Sequence, residues 1–184
     1  VKTEGFPLGP QGEHAIEVHL PFLQVALGDF KIIPIVLGTV TVDECRILAD
    51  AIVDATDGGN TLLIASTDLY HGHHYEQCVE RDRFTLREVA QLKPEQLARN
   101  LTSGLAQACG GHPITTLLMA ATTLGATNVE ILERTNSAEV GGGSDYVVGY
   151  GAAAIYADPS ISSFELSEIE KACLGEIARD AVKE

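Results

Sequence analysis

The stretch Thr61-Leu62-Leu63-Ile64-Ala65-Ser66-Thr67-Asp68-Leu69-Tyr70-His71 decides the fold class of this 184-residue chain. Its apolar run halts at Ser66, and an acid and then an imidazole follow three residues apart. A continuous apolar run is the pattern of a strand buried on both faces, as in a parallel sheet covered by helices. Such a strand, here Thr61 to Ala65, delivers Asp68 and His71 at its carboxyl end. Open α/β sheets assemble their sites at that edge.

Working outward, three more runs read as strands. Phe30 to Leu37 is continuously apolar, with Pro34 placing it at an edge or a bulge. Val129 to Glu133 alternates. Tyr146 to Tyr156 is long, and Gly149 and Gly151 imply close approach of another element. Helical spacing fills the gaps. Glu13 to Leu27 is apolar at helical intervals, with Pro21 expected to kink or restart it. Val42 to Ala55 follows a Thr41 N-cap with Glu44 completing a capping box. Tyr75 to Leu92 is amphipathic, and Pro94 to Ala108 and Pro113 to Leu124 each open on a proline. This order predicts an α/β fold with a mostly parallel central sheet flanked by helices.

Hydrophobic residues make up 45% of the chain and charged residues 21%, ordinary for a globular protein. Aromatic residues are only 5% and Trp is absent, so Ala, Val, Ile and Leu must build the core. The net charge of −14, from 12 basic and 26 acidic residues, disfavours nucleic acid and anionic lipid as partners. No apolar run reaches the length of a membrane span and no signal peptide is visible. Cys45, Cys78, Cys109 and Cys173 form no C-x-x-C pair, so a disulfide scaffold or structural zinc module is not indicated and a reducing cytoplasm is expected. The chain starts at Val1 and runs to Gly12 without a core pattern, and an incomplete N-terminus is expected.

Two further segments carry chemistry. Ala108-Cys109-Gly110-Gly111-His112-Pro113-Ile114 sets a thiol just ahead of a helix start, where the dipole attracts negative charge. Gly110 and Gly111 would let backbone approach that thiol closely. Glu13-His14-Ala15-Ile16-Glu17-Val18-His19-Leu20-Pro21 holds two imidazoles five residues apart. That step is roughly 140° around a helix, so His14 and His19 do not share a face as a zincin pair would. His73 and His74 read as solvated loop residues. Gly141-Gly142-Gly143-Ser144 lacks the spacing of a phosphate loop and precedes a strand, so it reads as a turn.

Together these blocks resemble the Memo family, whose fold is that of the class III extradiol ring-cleaving dioxygenases, the LigB-like fold. Glu13 to Pro21 is similar to the family's E-H-S-x-E-x-H-L-P, Ser66 to His71 to S-S-D-x-x-H, and Cys109 to Ile114 to C-G-x-x-P-I. Asp145-Tyr146-Val147-Val148-Gly149-Tyr150 is similar to the D-x-V-V-G-Y strand of bacterial members. The order of the blocks is specific, and they cover roughly residues 7 to 157. The resemblance therefore implies a Memo-like domain over 1–157, its C-terminal two-thirds, because the family's P-H-A-G-Y and S-H segment with two His ligands is not in this sequence. A linker over 158–163 and a helix over 164–184 follow. That helix resembles the start of an AMME-type domain.

The resemblance also implies roles. His71 and His14 match acid/base imidazoles of the dioxygenase relatives, with Asp68 orienting His71 or the substrate. Cys109 matches the metal position that is a carboxylate in the ring-cleaving enzymes. Each residue has a plainer reading beside it. Asp68 could cap a turn, Cys109 could be an inert packed thiol, and His19 a core imidazole bonded to backbone. His14, His71 and Cys109 are expected around one cleft. The first functional reading is a cytoplasmic metal-binding protein with iron- or copper-dependent redox chemistry. Its cofactor is a divalent metal, iron favoured over copper or zinc, held weakly by this chain alone. The alternative is a non-catalytic binding module whose cleft takes a peptide or protein partner. A nucleotide-binding domain ranks last, for want of a glycine loop. Expected partners are a small molecule or peptide, and an AMME-type domain or radical-SAM protein by association.

Overall fold

A computed structural model describes residues 14–56, 61–141, 143 and 145–157. They fall into two units divided between Val36 and Leu37. The linker 158–163 and helix 164–184, like Gly142 and Ser144 of the glycine turn, lie outside the described residues.

The first unit carries a 3-10 turn, Glu17–His19, and helix α1, Leu20–Leu27. Pro21 sits in the first turn of α1, where its missing N–H costs nothing. It restarts the helix, one of the two outcomes its position allows. Gly28, at φ 68°, ends α1 in the left-handed region that favours glycine.

The second unit holds α2 Val42–Ala55, β1 His71–Gly72, α3 Tyr75–Ala90, α4 Pro94–Thr102, α5 Gly111–Thr123, β2 Asn128–Asn136 and β3 Val147–Tyr156. The capping box of α2 forms as read. The Thr41 hydroxyl accepts from the Glu44 amide at 3.2 Å, and the Glu44 carboxylate accepts from the Thr41 amide at 2.7 Å. The bond from the Thr41 amide, and a second from the Thr41 hydroxyl at 2.9 Å, hold the Glu44 carboxyl below its ordinary pKa. Pro94 opens α4, but that helix ends at Thr102, short of the expected Ala108. Gly104, at φ 75°, breaks it and frees residues 105–110 to run as a loop. α5 begins two residues before Pro113.

α5 organises the core. One side buries Ile114 and Leu118 with Val89, Leu97 and Ala106. Another buries Met119 and Ala120 against Cys45 and Ala49 of α2. Fully burying a side chain such as Leu118 is worth about 1.5–3 kcal/mol.

The sheet corrects the expected fold. Among the described residues it has three strands in the order β1-β3-β2, and both pairings are antiparallel, so it is not mostly parallel. β2 and β3 form the long pair, with Asn128 opposite Tyr156 and Asn136 opposite Gly149. Phe30–Leu37 and Thr61–Ala65, read as parallel strands, carry no strand. Ile33 is 85% exposed and Leu62 64%. Apolar character marks a wish for burial, but a strand also needs a hydrogen-bonded neighbour, and the described residues give these runs none. The expected close approaches at β3 do occur. A Cβ on Gly151 would press on Leu86 and Leu69, and one on Gly149 would collide with Asp82. Among the described residues no helix is long and apolar enough to cross a membrane.

Candidate functional site

The residues after the Thr61–Ala65 run are held from two sides. On one side they join the sheet. His71 pairs with Val148 and Gly72 with Val147, while the Leu69 amide donates to the Gly149 carbonyl at 2.8 Å. On the other side they meet the loop entering α5. The Cys109 amide donates to the Asp68 carbonyl at 3.1 Å. In return the Asp68 amide donates to Cys109 Sγ, also at 3.1 Å.

Thr67 secures this contact. Its hydroxyl accepts from the buried Gly110 amide at 2.7 Å, donates to the Asp68 carbonyl at 2.7 Å, and lies 3.6 Å from Cys109 Sγ. Gly110 is required by proximity: a Cβ there would stand 2.6 Å from the Ser66 carbonyl oxygen. Cys109 is exposed, whereas Cys45 and Cys78 are buried. A reaction or a ligand can reach only the first of these three.

His71 Nδ1 lies 3.3 Å from the Leu69 carbonyl oxygen, which can only accept. A proton on Nδ1 would let the ring donate there, and Nε2 faces Asp68 Oδ2 at 3.6 Å. Gln107, two residues before Cys109, donates from Nε2 to the His71 carbonyl at 3.3 Å. Tyr146 stands near both His71 and His73, with ring centroids 6.4 and 5.1 Å away. Burial, then the nearby Asp68, raises the Tyr150 pKa above its ordinary value. A cleft of about 390 Å³ opens beside Cys109, bounded by Ala98, Leu101, Gln107, His112 and Thr115.

The structure thus brings Asp68, His71 and Cys109 into one connected group. His14 belongs to the first unit, on the turn leading into α1. There its Nδ1 is 2.7 Å from Glu17 Oε1. The Glu17 carboxyl is held below its ordinary pKa by its own backbone amide and by His14. His112 lines the cleft, and its carbonyl faces the Cys45 thiol at 3.8 Å. His73 is exposed and bonds the Asp145 carbonyl at 2.6 Å, as a loop residue would.

Residue reasoning passed over Thr67, Gln107, Tyr146 and Asp82. Asp82 left a signal. It stands four residues after Cys78 on the stripe of α3 that also buries Leu86 and Val89. An acid on an apolar stripe needs a partner.

The family model for Memo-like proteins matches residues 8–154. The chain belongs to the Memo family. A MEMO1 family protein of Methanobrevibacter smithii is 35% identical over 140 residues, 75% of this chain and 50% of its own length. One from Methanosarcina mazei is 37% identical over 150 residues, 79% of this chain and 55% of its own. One from Methanosarcina barkeri is 38% identical over 149 residues, 79% of this chain and 56% of its own. The chain spans about half the length of these curated relatives. The resemblance to the Memo family is therefore correct, and the α/β architecture is consistent with the family's class III extradiol dioxygenase-like fold.

Proposed function

We propose that this chain is part of a metal-binding Memo protein with iron- or copper-dependent redox activity, and that Cys109 supplies one metal ligand. The observation that supports it is the bond from the Asp68 amide to Cys109 Sγ at 3.1 Å. It places an exposed soft donor on the backbone of the residue whose carboxylate faces an imidazole.

The residues fit a metal in part. Thiolate suits iron, copper or zinc better than it suits magnesium or calcium. Among the described residues, however, no group of three His, Cys, Asp or Glu could hold an ion. Cys109 is then one donor among several, and the two histidines implied by the family resemblance would supply others. One thiolate alone binds weakly against water and cellular chelators. A bound iron or copper would supply electron transfer.

The chain's own residues have simpler tasks. Nε2 of His71 takes or gives a proton on the side facing Asp68. Asp68 steadies the ring whenever Nε2 carries a proton, and Nδ1 stays on the Leu69 carbonyl. The cleft beside Cys109 is the place for a small molecule or peptide.

Cobalt(II) titration of the full-length protein tests the reading. Ligation by Cys109 gives thiolate-to-cobalt charge-transfer absorption that disappears in Cys109→Ser. Absorption that persists unchanged in the variant contradicts the assignment.

A further inference from the structure

Asp82 is fully buried in the middle of α3. Its Oδ1 accepts the Tyr70 amide at 3.0 Å, and its Oδ2 accepts the Cys78 thiol at 3.3 Å. Burial raises the Asp82 pKa, although both hydrogen bonds and Arg134 pull it down. Burial and the bond to Asp82 push the Cys78 thiol up to about 12, which keeps it a donor. A carboxylate in this position costs desolvation that a leucine would not.

What it provides is visible in the backbone opposite. The Leu69 amide donates to the Gly149 carbonyl, and the Gly149 amide donates to the Tyr70 carbonyl, both at 2.8 Å. Two residues of one segment therefore face one residue of β3, which is the arrangement of a β-bulge. Bulges near sites re-aim side chains. The Tyr70 amide is left out of the ladder, in a buried place where an unpaired N–H is costly. Asp82 takes that bond. Gly149 has no side chain because the carboxylate occupies the space a Cβ would need.

We propose that Asp82 is a positioning residue, which fixes the bulge at Leu69–Tyr70 and so sets the Asp68 carboxylate against the His71 ring. This rests on the reading of Asp68 and His71 as the functional pair. The Leu69 carbonyl that fixes Nδ1 of His71 belongs to the same bulge. Losing the Tyr70 bond releases both the ring's anchor and the residue it faces.

The test is NMR of the 184-residue chain at one pH. In Asp82→Ala the His71 ring Cε1–H resonance leaves its wild-type position. In Asp82→Asn, whose Oδ1 can still accept, it stays there. A ring signal that is unmoved in both variants, or moved equally in both, overturns the proposal. If Asp82→Ala does not fold, the wild-type chain decides. A coupling through the hydrogen bond should link the Tyr70 amide nitrogen to the Asp82 carboxyl carbon, with the Gly149-to-Tyr70 backbone coupling as internal control. The control without the Tyr70–Asp82 coupling overturns it. Neither readout depends on a metal, so the functional reading can fail in the cobalt titration while this result stands.

Discussion

The Asp68 amide donates its hydrogen to the sulfur of Cys109 across 3.1 Å, joining residues that stand 41 apart in the sequence. The Cys109 amide returns a bond to the Asp68 carbonyl. This reciprocal pair ties the acid–imidazole segment to the entrance of α5. Its supports can be removed one at a time.

Thr67 is the first support. Replacing it with Val leaves the buried Gly110 amide without its acceptor, at an expected cost of about 1–3 kcal/mol. Thr67→Ser keeps the hydroxyl and should cost markedly less. Urea denaturation of the two variants side by side measures the difference. A Val loss no larger than the Ser loss would contradict the role given to the hydroxyl.

Gly110 is the second. In Gly110→Ala the new methyl lies 2.6 Å from the Ser66 oxygen and 2.7 Å from Thr67 Cβ. Backbone must shift on at least one side, and overpacking of this kind costs about 1–3 kcal/mol. The Asp68 amide resonance should move as its bond to sulfur is disturbed. Wild-type stability together with an unmoved resonance would contradict the tight contact.

Asp82 gives the pH dependence. Its folded pKa is raised above the ordinary value of 3.8, chiefly by burial. The folded state then holds this proton more tightly than the unfolded state. The stability it contributes is fully present below the ordinary value and is lost as pH rises through the folded pKa. Stability of the wild type relative to Asp82→Asn should therefore fall as pH climbs from that ordinary value, then level off. Denaturation at a series of pH values checks this, and a difference that rises over the same window would reverse the sign.

The sequence made some of this legible and hid the rest for physical reasons. Capping at Thr41 and Glu44 is local, so four residues suffice to read it. Gly149 and Gly151 announced crowding because a strand loses packing wherever it lacks a side chain. Asp68, His71 and Cys109, which lie together in the structure, were singled out through their motifs. The sheet's direction was not legible, since pairing joins segments far apart and an apolar run such as Thr61–Ala65 does not name its neighbour. The side chains of Thr67 and Gln107 bond to backbone groups that any residue possesses, so no pattern of side chains points to them. Asp82 was readable only as an anomaly on the buried stripe of α3.

The central claim is that Cys109 holds metal. The most direct measurement is metal content and melting temperature on the same samples of full-length protein, purified without chelators, wild type beside Cys109→Ser. Serine is close in size but a poor ligand for soft metals, and Cys109 is exposed, so little packing is at stake. The account predicts metal in the wild type and its loss in the variant, with the apo-protein melting temperatures nearly equal. Unchanged metal with a depressed melting temperature would contradict it, leaving Cys109 a packing residue and the cleft a binding site for a partner.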